Sequence, residues 1–313
     1  MITNSNLSNA SLLLTQQGET EQLQYSFISK WDSEGSENGQ LKAPHSIDVD
    51  SLGNVYIADS GNNRVQKFTS DGQFVTKWGS KGSKDGQFIE LHDIAVSPSE
   101  RFVYTVELGN KHRIQKFTSE GQFVTKWSYE NTGGVESYRD PHQIAIDSSG
   151  NVYVPGKGGA KVIKFDSNGK FITGWGSQGT DNGQFKTPHG VAVDSADNIY
   201  ITDMDNFRVQ LFDKNGSFIT TWGTKGEENG QFLKVTPGIV IDSSNDSVYV
   251  VDKEGANVQV FDKNGKFITK WGGEGDGDGE FEKPEDIAVD SKTGTVYVTD
   301  TGNSRVQVFD ISS

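Results

Sequence analysis

The chain has 313 residues, with 37 Gly, 7 Pro and no Cys, and a formal net charge of −14. The lack of cysteine excludes disulfides and thiol chemistry, and no apolar run approaches the roughly 18 residues of a membrane-spanning helix. So acidic a chain repels phosphate backbones, and with no basic stripe to offset this, neither nucleic acid nor membrane is expected as a partner.

Residues 1–24 are rich in Asn, Ser, Thr and Gln and read as a flexible N-terminal arm. Within them, Leu12-Leu13-Leu14 is too short for the core of a signal peptide and follows no basic residue. The composition is that of a soluble protein, and the compartment stays open. From Tyr25 onward the chain is one repeat. Trp31, Trp78, Trp127, Trp175, Trp222 and Trp271 recur at intervals of 47 to 49 residues, each closing a segment like Phe74-Val75-Thr76-Lys77-Trp78. After each tryptophan comes a Gly-rich loop, such as Gly79-Ser80-Lys81-Gly82 with Gly86-Gln87-Phe88. A short apolar strand follows, such as Ile47 to Val49 or Val191 to Val193. The turn Asp50-Ser51-Leu52-Gly53-Asn54 leads to a second strand beginning Val55-Tyr56-Ile57. Asp suits this turn because it bonds nearby backbone, and Gly because it takes positive φ. A third strand, Arg64-Val65-Gln66-Lys67-Phe68, passes through an Asp/Asn-Gly turn to the Trp-ending fourth.

Four short antiparallel strands make a propeller blade, and one blade cannot bury both of its faces alone. The sequence holds five full units and a sixth, Ile287 to Asp310, that lacks its fourth strand; Tyr25 to Trp31 is the spare that completes it. The predicted fold is therefore all-β: a single six-bladed β-propeller over residues 25–313, four antiparallel strands per blade, with the N-terminal strand closing the last blade. Closure removes an edge that would invite aggregation, and a monomer is expected.

The segments Pro188-His189-Gly190-Val191-Ala192-Val193-Asp194, Ile199-Tyr200-Ile201-Thr202-Asp203 and Arg208-Val209-Gln210-Leu211-Phe212 resemble the NHL repeat, and the resemblance recurs in every unit over residues 25–313. It implies the propeller fold but not one function, since such propellers include lyases, RNA binders, interaction modules and receptor ectodomains.

Aligned at the loop before the innermost strand, the units place His45, His92, His142, His189, Pro237 and Glu285 at one ring position. Four consecutive imidazoles at the mouth of a central channel suit a divalent metal such as zinc, or another ligand. Duplication of one structural histidine accounts for the same pattern. The peptidyl-α-hydroxyglycine amidating lyases are similar at Pro44-His45-Ser46, His92-Asp93, Pro141-His142 and Pro188-His189, and this resemblance implies zinc on those histidines. His112 is out of register and reads as surface. Asp48 stands where other units have Ala or Val; it could lie behind His45 and orient it, a solvated channel carboxylate being the alternative.

A second ring holds Asp59, Glu107, Asp203, Asp252 and Asp300, mostly in register with Arg64, Arg113, Arg208 and Arg305. These read as structural pairs across a loop. The third unit departs most, with Gly156 and Lys161 at these two positions and Pro155-Gly156-Lys157-Gly158-Gly159 between them. The loop entering it carries Tyr129, Tyr138 and Arg139, which could bind an anion and act as general acid or base; drift in a surface loop is the alternative. Gly275-Asp276-Gly277-Asp278-Gly279-Glu280 alternates carboxylates in the manner of a calcium loop. The functional expectation is a propeller that binds a small-molecule or peptide ligand, with a divalent metal, at its histidine-lined channel mouth. A metal-dependent lyase or hydrolase at the same site, with Tyr129, Tyr138 or Arg139 assisting, and a non-catalytic scaffold binding a protein on that face are the alternatives.

Overall fold

The structure, a computed structural model, describes residues 23–31, 33–108, 113–128 and 139–312. Their strands form six separate antiparallel sheets. Blade one, Ser46–Val49, Val55–Asp59, Arg64–Phe68 and Phe74–Trp78, is typical. Blade six takes Pro284–Asp290, Thr295–Asp300 and Arg305–Ser312 from the C-terminus and Gln24–Trp31 from the N-terminus. The expected closure is thus observed, with Trp31 opposite Val306 and Gln24 opposite Ser312. In blade three the innermost strand is split into Arg139–Pro141 and Ala145–Ile146.

The apolar alternation of the strands buries each blade against its neighbours. One cluster joins Tyr56 and Val65 of blade one to Ile94, Val103 and Phe117 of blade two, and equivalent clusters fill the other interfaces. The repeated tryptophans close the periphery. Each indole from Trp31 to Trp222 lies under the hairpin turn of the next blade, where only a glycine fits: a Cβ on Gly169, at φ +83°, would fall 2.3 Å from Trp127. Blade six has no such hairpin, because the chain begins and ends there. Tyr25 covers the last indole instead, stacked on Trp271 at 4.1 Å with its hydroxyl 2.7 Å from that of Tyr249.

The acid–arginine pairs are buried, not surface bridges. Arg64 Nε donates to Asp59 at 2.7 Å, and the rest of its guanidinium donates to the carbonyls of Ser36, Glu37 and Gln40 at 2.6–2.8 Å. Arg113, Arg208 and Arg305 repeat the arrangement. Each arginine therefore staples a Gly-rich loop to its blade. This bears on the calcium expectation, since the inward carbonyls of Asp276, Gly277 and Glu280 already hold the Arg305 guanidinium, and Glu280 Oε2 accepts the Gly277 N–H.

Candidate functional site

Inner strands lose register at the histidine column. The ladder shifts between Leu91 and Asp93, Pro188 and Val191, Val235 and Ile239, and Pro284 and Ile287. In blade three the strand breaks between Pro141 and Ala145. Such bulges re-aim side chains. Ala43, Asp140 and Lys283, two residues before His45, His142 and Glu285, adopt left-handed φ of 43–55°, which a residue before proline rarely takes.

The result is a continuous row of imidazoles. Ring centroids of His45 and His92 lie 4.5 Å apart, those of His92 and His142 4.6 Å, and those of His142 and His189 4.5 Å. His92 Nδ1 donates to the His142 carbonyl at 2.9 Å, which makes its Nε2 an acceptor, and His142 Nδ1 lies 3.3 Å from that Nε2 as its donor. At the two ends of the row, the buried Nδ1 atoms of His45 and His189 have no hydrogen-bond partner among the described residues. Burial pulls the pKa of His45 below the ordinary imidazole value, and those of His92 and His189 well below it, with neighbouring cationic forms adding to the effect on the latter two. These three rings are neutral near pH 7.

Charges from three blades surround the row. Lys253 of blade five pairs with Glu285, which holds the ring position in blade six. Lys157, in the blade-three segment expected as a loop but found within strand Val152–Gly158, has its pKa lowered by burial, an effect opposed by Glu285, Asp140 and Asp205. The sequence reading noted that loop without assigning Lys157 a role, and did not connect Lys253 to the site. Tyr129, Tyr138 and His112 lie outside the described residues, and Arg139 is described only in its backbone, paired with Gly158.

One expectation needs correction. Asp48 does not orient His45 through Nδ1, which has no partner among the described residues. Its carboxylate accepts the N–H groups of Val49 at 2.8 Å and Val96 at 2.6 Å, sewing blade one to blade two. In this arrangement both His92 nitrogens are engaged by His142. Among the described residues, no group of three or more His, Cys, Asp or Glu side chains is arranged to hold a metal ion.

One residue deeper is a layer that the sequence reading missed. Ser46, Asp93, Gln143 and Asp286 each accept the N–H of the next blade's inner strand, at Ile94, Ile144, Val191 and Ile47, over 2.6–3.2 Å. Gln143 also reaches the opposite blade, donating to Asp286 at 3.2 Å. Burial drives the pKa values of Asp93 and Asp286 up, and their mutual repulsion adds to this for Asp93. Blades four and five have Gly190 and Gly238 here, whose Cβ atoms would fall 2.1 Å from the Pro237 carbonyl and 2.7 Å from the Glu285 carbonyl. The signal lay in the column one position after the histidines, where polar side chains give way to glycine.

Comparison with known proteins agrees with this architecture. A family model described as a 6-bladed beta-propeller matches residues 178–256 and 240–313, and the NHL repeat model matches residues 41–68. No curated protein matches the sequence. Among solved structures, a Bacteroides thetaiotaomicron protein of unknown function is similar at 16% identity and TM-score 0.69, covering 93% of this chain and 76% of that one. Virginiamycin B lyase from Staphylococcus aureus is similar at 15% identity and TM-score 0.58, covering 93% and 89%. A gluconolactonase from Xanthomonas campestris is similar at 12% identity and TM-score 0.62, covering 88% of each chain. At such identities the likeness speaks for the fold, and fold and repeat together make the chain an NHL-type six-bladed β-propeller.

Proposed function

We propose that this propeller binds a small polar ligand bearing an anionic group at its imidazole row. The observation that carries the reading is the pair of buried Nδ1 atoms, without a hydrogen-bond partner among the described residues, at the two ends of four contacting rings. Leaving a buried polar atom unmade costs about 1–3 kcal/mol, and groups of this kind point to a partner outside the chain. Neutral imidazoles supply directional donors and acceptors, while Lys157, whose ammonium forms no ion pair with a described residue, supplies the charge. A ligand carboxylate or phosphate would pair with Lys157 and hydrogen-bond along the row.

A thermal-shift screen of small carboxylates and phosphates tests this. A hit is expected to raise the melting temperature of the wild type and to do so much less in Lys157→Ala and His142→Ala, each checked for an unchanged fold by circular dichroism. No hit, or a shift retained in both variants, would sink the reading. A second reading, a lyase or hydrolase at the same site, draws on the two propellers of those names among the similar structures. Turnover of the bound compound would support it, and one equivalent of divalent metal by elemental analysis, lost in His142→Ala, would bring metal into it. A protein captured on this face with no small ligand would favour the scaffold.

A further inference from the structure

Blade five breaks the arginine staple without losing the pocket that the staple fills. Its Gly-rich loop has the conformation seen elsewhere. Gln231 N–H donates to Glu228 O at 2.9 Å and Gly230 N–H to Gln259 Oε1 at 2.9 Å, as Gln40 donates to Glu37 at 3.2 Å and Gly39 to Gln66 at 3.1 Å in blade one. The acid is also present, as Asp252. The arginine is replaced by Asn257, and the asparagine that helps fill the loop in blades one, four and six (Asn62, Asn206, Asn303) is replaced by Gly255. A cleft of about 500 Å³ opens there, lined by Glu227, Gln231, Asp252, Gly255, Asn257 and Gln259 among others.

The groups that take the arginine in blades one, two, four and six have no guanidinium here. The carbonyl oxygens of Glu227, Glu228 and Gln231 correspond to those of Ser36, Glu37 and Gln40, which take three hydrogen bonds from Arg64. Asp252, 2% exposed, accepts backbone N–H groups of Leu233 and Lys234 but forms no ion pair with a described residue. Asn257 Oδ1 is buried with no hydrogen-bond partner among the described residues. A buried carboxylate without a counter-charge is costly, and here burial raises its pKa. From the solvent side, Lys270 Nζ donates to Glu227 O at 3.2 Å, leaving that oxygen a second lone pair. The rim carries Glu227, Glu254 and Glu274, of which Glu254 pairs with Lys234 at 3.3 Å, together with Lys270.

We propose that the blade-five cleft is a guanidinium-binding site, taking the alkylguanidinium end of a free guanidino compound or of an arginine in a peptide. Blades one, two, four and six display the bound geometry. One nitrogen faces the acid and the others face the loop carbonyls, a planar fork that an ammonium cannot reproduce.

Calorimetry with agmatine, with a capped tripeptide of central arginine, and with cadaverine as an ammonium control tests the site. Agmatine or the peptide is expected to bind one per chain, at least about tenfold tighter than cadaverine; preference between the first two tells a free compound from a peptide. Asn257→Arg places the chain's own guanidinium in the cleft. It is expected to raise the melting temperature and weaken binding at least about tenfold, and Asp252→Asn is expected to weaken binding as well. Equal binding of cadaverine, no binding of either guanidinium, undiminished binding to Asn257→Arg, or a lowered melting temperature in that variant would each overturn the proposal.

Discussion

The carboxylates around the axis are where single residues depart most from ordinary behaviour. Burial pushes Asp48 up to about 6, although two backbone N–H groups hold its charged form. The sign follows directly. An acid whose pKa is raised on folding binds its proton more tightly in the native state, so its stabilising contribution is complete below the ordinary value near 3.8 and is lost as pH rises through about 6. The difference amounts to up to about 3 kcal/mol. Asp48→Asn cannot ionise, so urea unfolding of this variant is expected to show a shallower decline between about pH 4 and 7 than the wild type. An unchanged slope would mean that the carboxylate does not titrate there. Absolute stability is a poorer readout, since an asparagine has one acceptor oxygen where Asp48 uses two.

At the scale of the element, the unit of construction is a loop pinned to a blade by an arginine. The Asp59–Arg64 pair is buried and the guanidinium serves three carbonyls besides. Removing one partner of a buried, fully bonded pair costs about 3–5 kcal/mol because the other charge is left uncompensated. Arg64→Ala is expected to lose stability on that scale in urea denaturation. Arg64→Lys should recover only part of it, because one ammonium cannot span the acid and the loop carbonyls together. Recovery to wild-type stability by lysine would show that charge alone matters. Blade five keeps its loop without the staple, helped by Gln259, which bonds Gly230 and Gln231 as Gln66 bonds Gly39 and Gln40.

The whole molecule is a closed ring in which each blade leans on two others, so the junction of the chain ends governs its integrity. Tyr25 carries that junction toward blade five, stacking on Trp271 and bonding Tyr249. Truncation to alanine should cost about 3 kcal/mol, the scale for a buried aromatic side chain. Tyr25→Phe should cost about 1 kcal/mol, the scale of one hydrogen bond. The check is the denaturation midpoint at constant slope. Equal midpoints for Tyr25→Ala and wild type would show that closure rests on the backbone pairing with Arg305–Ser312 alone.

The sequence by itself determined the number of blades, the strand order within each and the closure. Those follow from periodicity: a tryptophan every 47 to 49 residues and a spare Tyr25–Trp31 segment leave one way to complete the ring. It also brought out the column of His45, His92, His142 and His189, because a repeat aligns its own positions. Only the tertiary structure decided what those positions do. Asp48 turned from His45 to the seam with blade two, and Lys157 from the second strand of blade three and Lys253 from blade five came to the imidazole row. The arginine staple proved to be a buried socket that blade five leaves without its guanidinium. The reason is geometric. A one-residue bulge or a neighbouring blade 48 residues away decides where a polar side chain finds its partner, and neither is written in the local pattern.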